Sequence, residues 1–151
     1  MNKLYAGIGS RKTPDNIMRI MTKIAKKLNS QGYILRSGGA QGADSAFESG
    51  ANNLKEIFMA RDAIPEAIKL ASKFHPAWHK CNDYARKLHG RNAMIILGKD
   101  LITPVEFTVC YTPGGKVVGG TGLGLRICAH YNIEIKNLYD KNILNELINR
   151  A

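Results

Sequence analysis

Three glycine-rich turns stand where an apolar, strand-like run hands over to a helix-like one, and they constrain this chain more than any other feature. They are Gly7-Ile8-Gly9-Ser10-Arg11, Ser37-Gly38-Gly39-Ala40-Gln41-Gly42-Ala43-Asp44, and Thr112-Pro113-Gly114-Gly115 running on to Gly119-Gly120-Thr121-Gly122. Strand and helix alternating through short turns argue for a parallel sheet covered on both faces and joined by right-handed crossovers. Glycine in such turns leaves backbone N–H groups unscreened. The helix behind adds the positive end of its dipole, so the turns suit anionic phosphate.

Periodicity supplies the elements between the turns. Leu4 to Ile8 reads as a short buried strand. A helix follows, with Thr13 as N-cap, Pro14 at its first position and Asp15 in the first turn. Its Ile17, Ile20, Met21, Ile24 and Leu28 form the inward stripe. Further strands are expected at Tyr33 to Ser37, Lys55 to Met59, Phe107 to Tyr111 and Ile133 to Asn137. Helices are expected from Gly42 to about Gly50, from Pro65 through Ala71, after an Asn82 N-cap through Ile96, from Thr121 to His130, and from Asp140 to Arg150. The expected fold class is α/β: a single Rossmann-like three-layer domain over residues 1–151, with a mostly parallel sheet of about five strands.

At 151 residues and 44% hydrophobic, such a domain buries roughly 68–70% of its unfolded surface, enough for a core of its own. No apolar run reaches the ~18–20 residues of a transmembrane helix, and the N-terminus lacks a signal peptide's apolar segment. A cytoplasmic protein with no membrane partner is expected. Cys81, Cys110 and Cys128 are odd in number and lack C-x-x-C spacing, so they suggest neither a disulfide framework nor structural zinc. His75 and His79, with no acid nearby, make a poor metal pair. Trp78 between them either packs or stacks a base. No metal and no cofactor are expected.

The formal charge of +10, with a pI near 9.7, draws in polyanions. Arg19, Lys23, Lys26 and Lys27 share one face of the first helix, which is either a solvated face or a contact for single-stranded DNA.

In an open parallel sheet, ligands sit outside the carboxyl ends of the strands where strand order reverses, and all three glycine turns lie at such ends. Lys12 takes the place of the third glycine in G-x-G-x-x-G, and no G-x-x-x-x-G-K-[ST] occurs, so neither a nicotinamide-cofactor site nor a P-loop is indicated. The backbone around Gly7 and Gly9, with the Ser10 hydroxyl and Arg11 guanidinium, still suits a phosphate. In the second turn, Asp44 and Glu48 stand one helical turn apart. Asp44 either complements the helix dipole or, with Glu48, binds a ribose hydroxyl or acts as a general acid or base, and these two are the candidate catalytic residues. In the third, Gly119, Gly120, Thr121 and Gly122 offer N–H groups and a hydroxyl at a helix start.

The three turns, with Arg36 before the second and Gly90-Arg91-Asn92-Ala93-Met94, resemble the Rossmann-like superfamily that groups the DNA-processing protein A core, the lysine-decarboxylase-like LOG proteins and the YspA-like proteins. The similarity covers nearly the whole chain and is greatest to small single-domain members encoded by bacteriophages. It implies that Gly38, Gly39, Gly42 and Asp44 line the ligand site, with Arg91 and Asn92 near it and Gly119, Gly120 and Thr121 around phosphate. Ser37, Thr112 and Gly115 complete the candidate ligand-binding set. LOG enzymes use a glutamate just after their glycine-threonine turn. Here Thr121 is followed by Gly122, Leu123, Gly124, Leu125 and Arg126, which leaves Asp44 or Glu48 to supply an acid.

The expected function is binding of a nucleotide or nucleotide-derived ligand, with hydrolysis of its N-glycosidic or phosphate bond as the associated reaction. The alternatives are a recombination-mediator-like protein that binds single-stranded DNA and self-associates as a homo-oligomer, and a non-catalytic protein that sequesters a signalling nucleotide.

Overall fold

A computed structural model describes residues 3–149. The chain runs β1 (Leu4–Gly9), α1 (Asp15–Ser30), β2 (Ile34–Ser37), α2 (Ala43–Ala51), β3 (Lys55–Ile57), α3 (Pro65–Ser72), α4 (Asp83–Leu97), β4 (Phe107–Tyr111), α5 (Gly119–His130), β5 (Glu134–Asn137) and α6 (Lys141–Asn149). The five strands form one all-parallel sheet in the order β3-β2-β1-β4-β5. This is the α/β, Rossmann-like architecture that the alternating pattern implies. Among the described residues no helix is long and apolar enough to cross a membrane.

Side chains of the central strands alternate between two cores, as a strand buried on both faces requires. Tyr5, Phe107 and Val109 join Met21, Ile24 and Phe47 beneath α1 and α2. Leu4, Ala6, Ile8 and Cys110 join Ile95, Ile96, Leu123 and Ile127 beneath α4 and α5. Chain order reverses between β1 and β4, where the chain after β3 crosses to the second face. The crevice that holds the site lies at this reversal, at the carboxyl end of β1 around Gly9.

Local chemistry departs from expectation at several helix ends. α1 starts at Asp15 with Pro14 in the cap position. Thr13 is not the cap, because its hydroxyl is turned back to donate to the Ser10 carbonyl at 2.7 Å. α5 starts at Gly119, so Thr121 lies inside its first turn. Asn82 does cap α4, its Oδ1 accepting the Ala85 N–H at 2.8 Å. β3 ends at Ile57, and the Phe58 N–H makes the last link to β2, at the Ser37 carbonyl. β5 begins one residue later than expected, at Glu134. α6 begins at Lys141, and its expected end at Arg150 lies outside the described residues.

Candidate functional site

The crevice is a cleft of about 300 Å³ walled by the end of β1, the turn before α2, one face of α4 and the first turn of α5. Leu88, Arg91, Asn92, Ile95 and Ile96 of α4 line it, at the i, i+3, i+4, i+7, i+8 spacing of one helical stripe. Leu88, Ile95 and Ile96 with Ile8 form an apolar floor, while Ser10, Arg11, Asp44, Arg91, Asn92, Gly119, Gly120 and Thr121 give polar walls.

A polar string joins the walls. The Arg91 Nη1 donates to the Gly38 carbonyl at 2.8 Å and to the Phe58 carbonyl at 3.1 Å. Its Nε donates to Asn92 Oδ1 at 2.8 Å, and Asn92 Nδ2 donates to the Gly120 carbonyl at 3.3 Å. The guanidinium is thereby fixed by the turn before α2, and Asn92 carries the string on to the start of α5. Asp44 is buried, 6% exposed, with one carboxylate oxygen accepting the Ala40 N–H at 3.3 Å. Desolvation dominates its titration and pushes the carboxyl up to about 6, against the opposing pull of Arg91, the Ala40 N–H and the Ser37 hydroxyl. Burial also lowers the Arg91 pKa, and Asp44 opposes that shift.

Of the sequence-derived site residues, Gly9, Ser10, Arg11, Asp44, Arg91, Asn92, Gly119, Gly120 and Thr121 line the cleft. The other sequence-derived glycines lie outside its lining. Gly7 does not line it, because the Phe47 ring lies directly on the strand, where a Cβ would sit 2.6 Å from Phe47 Cγ. A Cβ at Gly38 would lie 2.6 Å from Arg91 Nη1 and 2.8 Å from Asp44 Oδ2, so this glycine leaves room for both side chains beside the turn. Gly42 has φ +85° and abuts the Arg11 backbone, and the Ala43 N–H beside it reaches the Ser10 carbonyl at 3.3 Å. This backbone contact brings the first two turns together. Gly39 faces Met59, Gly115 faces Tyr139 and Gly122 faces Val117, all outside the lining.

Ser37 is fully buried and donates to the Gly7 carbonyl at 2.6 Å. Thr112 is buried and accepts from Asn137 Nδ2 at 2.8 Å, which ties β4 to β5 rather than to a ligand. Glu48 lies outside the lining as well, paired with Lys55 at 2.9 Å. Among the described residues, Asp44 is therefore the one acid lining the cleft.

Sequence reasoning missed Ala40, Gly124 and the apolar lining as site residues. The i, i+3, i+4 stripe of α4 was the signal for part of it. Gly124 lets α5 approach β1, since a Cβ there would stand 3.2 Å from Ile8 Cδ1. Trp78 packs on the core beneath α4, with the Arg86 guanidinium 5.2 Å over its ring, and takes no part in the cleft. Cys110 and Cys128 are buried, which pushes their thiols up to about 12 and about 11, leaving them inert at neutral pH. Arg19, Lys23 and Lys26 are exposed on α1, whose buried side belongs to the core on the opposite sheet face from α4 and α5. Comparison with known proteins finds no matching family model, no matching curated protein and no matching solved structure.

Proposed function

We propose that the cleft binds a nucleotide or nucleotide-derived ligand, its phosphate at the start of α5 and its base on the apolar stripe of α4. The observation that carries this reading is the convergence of Arg11, Arg91, the first turn of α5 and the buried Asp44 on one partly apolar cleft at the strand-order reversal. Each part answers one part of such a ligand. Backbone N–H groups of a helix start, beside guanidinium groups, bind phosphate. Aliphatic side chains accept the flat face of a base, and a carboxyl group matches a sugar hydroxyl. The volume of about 300 Å³ stands at the lower limit for small-molecule sites and suits one nucleotide unit rather than two. The motif resemblance to nucleotide-handling Rossmann-like proteins points the same way.

Asp44 also fits hydrolysis of the N-glycosidic bond. A carboxyl titrating near 6 is partly protonated close to neutrality, and it can donate to the departing base nitrogen while water adds at the anomeric carbon. The water's second proton then restores the acid. Native mass spectrometry of the purified protein, followed by chromatography of its reaction with ribo- and deoxyribonucleotides, tests both halves. A bound nucleotide and released free base are the expected results. Free phosphate would move the reaction to the phosphate ester, and binding without product would make the protein a sequestering one. The absence of any bound nucleotide, natural or added, would contradict the reading.

A further inference from the structure

We propose that His75, Cys81 and His89 form a zinc-binding site, separate from the cleft. The three come from different places: His75 from the connection after α3, Cys81 just beyond a short 3-10 turn at Trp78–Lys80, and His89 from α4. Folding brings one ligand atom of each within 4.8 Å of the others, and all three residues are half-buried.

The Cys81 sulfur is 3.7 Å from His75 Nε2. On tetrahedral zinc, with Zn–S about 2.3 Å and Zn–N about 2.0 Å, a sulfur and a nitrogen stand about 3.5 Å apart, so this pair is already nearly spaced for a shared ion. The His75 and His89 rings lie 4.6 Å apart between centroids. An independent feature is that His89 Nδ1 is buried and has no hydrogen-bond partner among the described residues, so its lone pair is not engaged elsewhere, a state that native interiors rarely leave unanswered.

Two imidazoles and a thiolate suit zinc and exclude the hard cations magnesium and calcium, which take oxygen ligands. Three protein ligands leave a fourth position for water or a further ligand. Proton accounting is simple. Zinc displaces the Cys81 thiol proton to solvent. His75 Nδ1 accepts the Ala77 N–H at 3.0 Å, so the neutral ring carries its proton on Nε2. Coordination through Nε2 moves that proton to Nδ1 and gives up the Ala77 bond, a loss that thiolate coordination offsets. The same tautomer argues against a nucleophilic Cys81, because an Nε2 that already bears a proton cannot take one from the thiol. Bound zinc would fasten the α3–α4 connection to the helix that carries Arg91 and Asn92 into the cleft.

The test uses the full chain, stripped with a chelator, and metal alone, so it is independent of any nucleotide. Titration with zinc against a chromophoric chelator is expected to show one ion per chain, and cobalt is expected to give a thiolate-to-metal charge-transfer band. Cys81→Ser should abolish the band, and His89→Ala should weaken zinc binding at least 10- to 100-fold, the loss typical of removing even an outer-shell partner. Cys110 and Cys128 are fully buried and cannot supply the band. A wild type without the band, or an unchanged band in Cys81→Ser, overturns the site. Should Cys81→Ser fail to fold, alkylation of wild-type thiols read by mass spectrometry decides: zinc is expected to protect Cys81, and unchanged labelling overturns the proposal.

Discussion

At Asp44, burial governs the titration of the one carboxyl group lining the cleft among the described residues. Its carboxyl titrates near 6 in the folded chain, whereas an unfolded aspartate titrates near about 4. Between those pH values the folded state holds a proton that the unfolded state has released. Stability therefore falls as pH rises through this window and is level above it, a change on the order of 3 kcal/mol. Asp44→Asn should remove that component, which urea unfolding of both proteins at a series of pH values will show; parallel profiles would mean that the group is not buried as described. In a hydrolytic assay the same variant is expected to lower turnover by a factor on the order of 10²–10⁴ while the fold persists. With Asp44 as proton donor, wild-type activity declines above about pH 6. A bound phosphate, adding negative charge, moves that decline to higher pH.

At the scale of elements, the glycines divide by what stands behind them. Gly120 is exposed at the start of α5, and a Cβ there would meet only Asn92 Nδ2, at 3.8 Å. Gly120→Val should fold normally yet weaken nucleotide binding by crowding the phosphate, as calorimetry can measure. Gly7→Ala should do the reverse. Its methyl group collides with Phe47, so overpacking costs about 1–3 kcal/mol in thermal or urea unfolding, with affinity kept in the folded fraction. Lost affinity in a folded Gly7→Ala protein would return the first strand's glycine to the site. Strand and helix order was legible from the sequence because apolar period and turn residues agree along the chain. The roles of Gly7, Gly42 and Gly124 were not, since a glycine that admits a phosphate and one that admits a neighbouring ring look alike until the neighbour is placed. The start of α5 at Gly119 was hidden for a related reason. Glycine disfavours helix locally, and packing overrides it here, with Gly122 seated on Val117 and Gly124 on Ile8. His89 went unread as a partner of His75 and Cys81 because their proximity depends on how α4 packs on the preceding connection.

For the whole molecule, the excess of 22 basic over 12 acidic residues is not all available to a partner. Arg36 is buried against Glu56 at 2.7 Å and the Thr103 carbonyl, and Lys27 is engaged by the Ile148 carbonyl. Arg19, Lys23 and Lys26 remain exposed on α1, across the sheet from α4 and α5. Replacing these three and Lys27 by Gln should leave nucleotide affinity unchanged. If the surface also binds single-stranded DNA, the same variant flattens the salt dependence by roughly 0.7 per lost phosphate contact, measurable by fluorescence anisotropy at several salt concentrations. A parallel loss of nucleotide affinity would mean that the two surfaces are one site. The most direct test of the cleft is calorimetric titration of the wild type and Gly120→Val with a panel of nucleoside mono- and diphosphates. The account predicts one-to-one binding of at least one member and a marked loss of affinity in a folded Gly120→Val protein. Silence across the panel, or unchanged affinity in that variant, would contradict it.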